Sequence, residues 1–195
     1  MVNWDDRENW CLSGGADGAD LMWGQAAKLA GHGLIHFSFD GAHSVAMKAD
    51  VVRLSPAMLA AADPFCVQAN ATLHRQYPPR SKYVRRLLQR NWYQVESSES
   101  LYAISRIANG QVAGGTAWAV EMFLNINKRA ACPAYVFDQE DCRWYQWNGA
   151  WETIYEPPRP RGIWTGIGSR KINVLGRLAI GASLDYWPGR MTIWP

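Results

Sequence analysis

Short apolar runs and amphipathic stretches alternate along the chain. Residues 10–12 (WCL) read as the end of a short buried strand. Leu21, Trp23, Ala26, Ala27, Leu29 and Ala30 then recur at helical spacing, and Gly31 and Gly33 stop that helix. Residues 34–39 (LIHFSF) are rich in apolar and aromatic side chains and predict the next strand. The stretch 54–78 has a mostly helical pattern broken at Pro56, Pro64 and Pro78, and 81–92 (SKYVRRLLQRNW) predicts a strongly basic helix. Strands are expected at 101–104, 111–113 and 134–138, with a helix over 117–125. Residues 143–155 predict a hairpin, because Asn148-Gly149 is a good type I′ turn dipeptide. PPRPR at 157–161 is a stiff connector, followed by a strand at 163–167 and a helix at 175–184.

A strand, a glycine-rich turn and a helix follow one another three times, around SGGADGAD, GGTAW and GIGSR. That alternation implies an α/β domain: a Rossmann-like parallel sheet with helices on both faces and an extra β-hairpin. In such sheets the strand C-termini face one crevice where ligands sit, so the three turns are expected to converge there. The 195 residues suit one domain spanning 1–195.

Composition narrows the class. Hydrophobic residues make up 48% and charged residues 19%, which permits a sizeable core and argues against long disorder. Eleven tryptophans exceed what a core demands, so some are expected to line a ligand pocket or a partner surface; a homo-oligomer fits the same count. A formal net charge of +3 suits an anionic small ligand and does not require nucleic acid. Cys11, Cys66, Cys132 and Cys142 form no C-x-x-C pair, and the polar N-terminal stretch is unlike a signal peptide. Reduced thiols and a cytoplasmic location are therefore expected. No apolar run approaches the roughly 20 residues of a membrane span, so no membrane partner is expected.

The turns carry the candidate chemistry. Gly14 and Gly15 of Ser13-Gly14-Gly15-Ala16-Asp17-Gly18 permit positive φ and close approach of backbone amides to a phosphate, and the helix that follows adds its positive dipole end. Asp17 and Asp20 are stabilised at that terminus with or without a ligand. The motif departs from G-x-G-x-x-G, which argues against a standard dinucleotide dehydrogenase. In Gly114-Gly115-Thr116 the threonine hydroxyl can cap the next helix, Trp118 lies in its first turn, and Glu121 stands one turn further along. Gly168-Ser169-Arg170 ends a strand with a guanidinium suited to phosphate. Each turn also has a plain structural reading, as a tight turn with a capped helix or as a surface ion pair.

His32, His36 and His43 match no compact zinc pattern, so no metal is expected. His36 and Ser38 on the second strand are candidates for ribose or base contacts. The basic segment Arg75, Arg80, Lys82, Arg85, Arg86 and Arg90, with Tyr77, Tyr83, Trp92 and Tyr93, has three readings. It is a solvated helix face, a single-stranded nucleic-acid surface, or, through Arg90, Asn91 and Gln94, a wall closing over the ligand.

The three turns together resemble those of the SLOG superfamily. It unites Smf-type DNA-processing proteins, Lonely Guy phosphoribohydrolases and sensor domains for NAD-derived signals in antiphage systems. LSGGADGAD (12–20) resembles the family's glycine turn, Gly114–Thr116 its GGT turn, and GIGSR (166–170) its G-S-R turn. The G-S-R turn opens the family fold but comes last here. The resemblance therefore implies a circular permutation, with the usual first strand-turn-helix moved to the C-terminus. Permutation is tolerated where native termini lie close together at the surface.

A nucleotide or NAD/ADP-ribose-derived small molecule is the ligand the resemblance implies, with no additional cofactor. The protein would act as a sensor or as a phage-encoded sink for a nucleotide defence signal. In Lonely Guy enzymes a glutamate follows the GGT-type threonine by two residues. Trp118 stands there in this chain and suits stacking on a base, while the first glutamate, Glu121, is about a helical turn further on. If the protein is instead an N-glycosidic hydrolase, Glu121 is the catalytic candidate. A single-stranded nucleic-acid binder is the third reading, disfavoured by the mild net charge and the single basic cluster.

Overall fold

The computed structural model describes residues 7–42, 46, 50–126 and 132–185. Its strands and helices in chain order are β1 (Trp10–Ser13), α1 (Ala19–Leu29), β2 (Gly33–Phe39), β3 (Val51–Leu54), α2 (Pro56–Ala61), α3 (Asp63–Leu73), α4 (Lys82–Val95) and β4 (Ser100–Ser105). These are followed by β5 (Ile107–Ala108), β6 (Gln111–Val112), α5 (Thr116–Ile126), β7 (Ala134–Asp138), β8 (Arg143–Trp147), β9 (Trp151–Ile154), β10 (Ile163–Gly168) and α6 (Val174–Ser183).

Eight strands form one sheet in the order β3-β2-β1-β10-β4-β7-β8-β9. The six from β3 to β7 run parallel, and β8 and β9 add an antiparallel hairpin at one edge. The C-terminal strand β10 is central: Leu12 of β1 pairs with Thr165, and Gly168 pairs with Ile104 of β4. The expected α/β class, Rossmann-like in its helix-flanked and mostly parallel sheet, is what the chain adopts.

Alternation along the buried strands sorts side chains into two layers. On one face Cys11, Leu34, Tyr102, Tyr135 and Trp164 pack against α1 and α6. Trp23 of α1 is the centre of that layer, edge-on to Trp164 at 5.7 Å between centroids, with its Nε1 donating to the Ile167 carbonyl. The other face takes α2 to α5. Leu101, Ala103, Val136 and Ile167 meet α3, α4 and α5 there, and Leu12, Ile35 and Phe37 meet α2 and α4. The helices start where their caps dictate: Ser55 and Ser81 accept from Met58 and Val84 N–H, and Pro56 occupies the first turn of α2.

Four local expectations are corrected. Strand β3 adds to the expected elements; its four residues, VVRL, are too few to stand out as a strand, and it forms by pairing with β2. Residues 111–113 do not contribute to the main sheet. Gln111–Val112 pair with Ile107–Ala108 in a small hairpin inserted between β4 and the GGT turn. The 148–150 loop holds three residues between Trp147 and Trp151, which pair with each other, and only Gly149 takes positive φ (83°). A two-residue type I′ turn needs two such residues, so the Asn-Gly signal marks a longer turn here. The tryptophans, fourth, do not line the main cleft among the described residues, and Trp10, Trp23, Trp118, Trp144 and Trp164 are buried in the core.

All four cysteines are free. No helix among the described residues is long and apolar enough to cross a membrane.

Candidate functional site

A cleft of about 960 Å³ opens at the C-terminal ends of β1, β10, β4 and β7. Residues 16–18 border it, as do 114–116 and 168–173, so parts of all three glycine turns reach one site. Helix α4 supplies the facing wall with Arg90, Asn91 and Gln94. This is where an open parallel sheet leaves a crevice, because neighbouring crossovers leave in opposite directions.

The turn after β1 is closely packed. Ser13 Oγ donates to the Gly166 carbonyl (2.6 Å), which ties this strand end to β10. Ala19 N–H, at the start of α1, donates to the Ser169 carbonyl (3.1 Å), and Gly18 N–H donates to Asp17 Oδ1 (2.9 Å). Gly18 has φ +97°, and a Cβ there would run into the backbone of Ser169 and Arg170. Asp20 accepts from Gly168 N–H (3.0 Å) and from Arg90 Nη1 (3.1 Å), in an ion pair whose side chains are 9% and 7% exposed. Ser13, Gly14 and Gly15 do not line the cleft, whereas Ala16, Asp17 and Gly18 do.

The terminus of α6 is likewise occupied. Asn173 caps it by accepting from Gly176 N–H (2.8 Å), and Gln139 brackets Asn173 by accepting its N–H (2.8 Å) and its Nδ2 (3.0 Å).

The turn before α5 is arranged differently. Gly114 has φ +65°, and a Cβ on Gly114 or Gly115 would meet nothing within 4 Å. Arg75 donates to the Gly114 carbonyl (2.6 Å) and the Val112 carbonyl (3.3 Å), and Asn91 Nδ2 donates to the Gly115 carbonyl (3.3 Å). Carbonyls of the turn are thus held by donors from the α3–α4 side. Among the described residues, the N–H groups of Gly115 and Thr116 have no acceptor, and glycine before Thr116 brings no capping side chain. Gly115 and Thr116, at the start of this 11-residue helix, line the cleft, and a helix N-terminus favours an anion.

Five cationic side chains line the cleft with three carboxylates. Arg90 is committed to Asp20, and Arg106 donates to Glu140 (3.1 Å) at the exposed rim. Arg170, Lys171 and Arg177 are exposed and have no ion-pair partner among the described residues.

Other sequence candidates lie elsewhere. His36 is 2% exposed beneath α1, where its ring touches Gly24 closely enough that a Cβ on that glycine would sit 2.5 Å from Cε1. Burial pushes its pKa down to about 4; Asp50 opposes that shift, and Arg90 and Lys28 reinforce it. Ser38 is buried off the cleft. Trp118 is 4% exposed in the core against Tyr77, because position 118 of α5 turns inward to the sheet. Glu121 does not line the cleft either. His32 Nδ1 accepts from Trp164 Nε1 (3.1 Å), and His43 lies outside the described residues. Among the described residues no three His, Cys, Asp or Glu side chains are grouped to hold a metal.

Much of the basic segment is committed within the fold. Arg85 and Tyr77 both bond Asp63, whose carboxyl is held below its usual range even though burial opposes this. Trp92 stacks on Phe65 at 3.4 Å, and Tyr93 donates to the Met58 carbonyl. These aromatic faces are not a free platform for bases.

Arg106, Gln139, Glu140, Lys171 and Arg177 line the cleft without a signal in the sequence. Gln139, Glu140 and Lys171 follow the ends of β7 and β10 and Arg177 stands on α6, and they meet because only β4 separates β10 from β7. No family model, curated protein or solved structure matches this chain.

Proposed function

We propose that the cleft binds a nucleotide or an NAD/ADP-ribose-derived anion. One observation carries this reading: the uncapped amides at the start of α5 share a cleft with Arg170, Lys171 and Arg177. Amides and cations facing one space favour a phosphate or a diphosphate. On this reading the GGT turn holds the phosphate. The turn after β1 builds the wall, since Ala19 and Gly18 already donate to Ser169 and Asp17.

The strand order supports a permuted SLOG-like fold. Counted from β10 as the first strand, the six parallel strands read 4-3-2-1-5-6 across the sheet, which is a doubly wound order with the first strand beside the switch point. A protein of this kind would hold a nucleotide signal as a sensor or a sink, an assignment that rests on analogy of fold and motif. The hydrolase reading gains nothing from the geometry, because Glu121 is off the cleft and Asp20 is committed to Arg90 and Gly168.

The test is to denature the purified protein, filter it, and examine the released small molecules by mass spectrometry beside an incubation with nucleotides and NAD derivatives. Recovery of one intact nucleotide-like ligand is expected. Free base and ribose phosphate formed in catalytic excess would replace this reading with the hydrolase.

A further inference from the structure

Helices α4 and α5 both line the cleft, and apolar side chains there flank the amides of Asn91 and Gln94. Leu88 of α4, Ala119 of α5 and Ile167 of β10 all border the cleft and are all buried. Asn91 Nδ2 bonds the Gly115 carbonyl, so this region adjoins the start of α5 directly. Gln94 stands one turn beyond Asn91 on α4.

Gln94 is 1% exposed and lines the cleft, yet its Nε2 has no acceptor. Neighbouring buried polar groups are satisfied: Arg90 by Asp20, and Ser98 by the Gln94 carbonyl. A buried donor without a partner destabilises the chain that carries it, and such a group calls for a specific explanation. Replacing it by an apolar side chain of the same shape would relieve that cost.

We propose that the α4–α5 region is a subsite for a heteroaromatic base, with the Gln94 carboxamide hydrogen-bonding the base edge. This inference rests on the reading of the cleft as a nucleotide site. The apolar walls suit the flat faces of a base and would disfavour a polyhydroxylated sugar or a phosphate. A carboxamide carries a donor and an acceptor side by side, which matches the paired donors and acceptors on a base edge. The subsite begins where the anion site ends, so one molecule can place phosphate on the α5 amides and its base against Gln94.

The experiment compares wild type with Gln94→Met, using calorimetric titration with AMP, GMP, CMP, UMP, ADP-ribose and ribose 5-phosphate, together with thermal melting. Wild type is expected to bind at least one nucleotide tighter than ribose 5-phosphate. Gln94→Met should weaken that nucleotide tenfold or more, leave ribose 5-phosphate within twofold, and raise the melting temperature. Gln94→Leu, different in shape, should give the same split and guards against a packing fault in the first variant. A nucleotide affinity unchanged by both variants, or equal weakening of nucleotide and ribose 5-phosphate, overturns the base subsite. Wild type that binds ribose 5-phosphate as tightly as every nucleotide overturns it too, while leaving the anion site standing. Wild type that binds none of these probes overturns both readings.

Discussion

The Arg90 guanidinium lies in the space that a side chain at position 14 would need. A Cβ built on Gly14 coincides with Arg90 Nη1 and overlaps Asp20 Oδ2. Glycine at this position is therefore the condition for a buried ion pair that joins α4 to the first turn of α1. Asp20 in turn accepts from Gly168 N–H (3.0 Å), so one carboxylate joins α1, α4 and the end of β10 beside the cleft.

Gly14→Ala should break that arrangement. The methyl group displaces Arg90 and leaves Asp20 buried without its cation. Losing one partner of a buried pair costs about 3–5 kcal/mol. Urea titration should show a lower midpoint with an unchanged slope. A midpoint equal to wild type would mean that Arg90 relocates without cost.

Arg170→Ala should weaken phosphate-bearing ligands without unfolding the chain. The side chain is exposed and the backbone contact with Gly18 is retained. A charge-assisted hydrogen bond is worth about 1.5–3 kcal/mol, so a loss of roughly tenfold or more in ADP-ribose affinity is expected. Lys171→Ala should add a smaller, salt-sensitive loss. Calorimetric titration at two salt concentrations checks both, and unchanged affinity in the double variant would remove the cations from the site.

His36 predicts an acid-sensitive fold. Its folded pKa, about 4, lies below the ordinary value of 6.5, so the neutral ring is the form the fold holds. The unfolded chain takes up the proton first as pH falls. The stability contributed by His36 is therefore complete above pH 6.5 and is lost progressively between 6.5 and 4. The loss amounts to about 3 kcal/mol. His36→Gln, which does not titrate there, should flatten that part of the stability profile. Parallel profiles for the two proteins would show that the ring is protonated in the fold.

Glu121→Gln should leave ligand binding unchanged within about twofold, since Glu121 does not border the cleft. Incubating both proteins with nucleoside monophosphates and following free base by chromatography checks the hydrolase reading at the same time. Base released by wild type and abolished in the variant would restore Glu121 to the mechanism.

Much of the architecture was legible along the chain. Continuous apolar runs marked β2, β4, β7 and β10, helical spacing marked α1, and glycine-rich turns marked all three loops that reach the crevice, because these signals depend on local geometry and burial alone. Strand β3 and the β5–β6 hairpin were not legible. Each is short, and each exists through pairing with a partner that the local pattern does not specify.

The sequence by itself determined the α/β class, the glycine turns and the residue types at the crevice. Tertiary structure decided which of those groups remained available. SGGADGAD and GGT both read as anion-binding turns, yet the first has its leading amides occupied by Ser169 and Asp17 while the second opens on the cleft. The difference arises because β10 inserts beside β1 and brings residues distant in sequence against Gly18. Trp118 and His36 were likewise turned inward by the packing of α5 and α1 on the sheet. Local spacing states what a residue can do; burial and long-range pairing decide whether it is left free to do it.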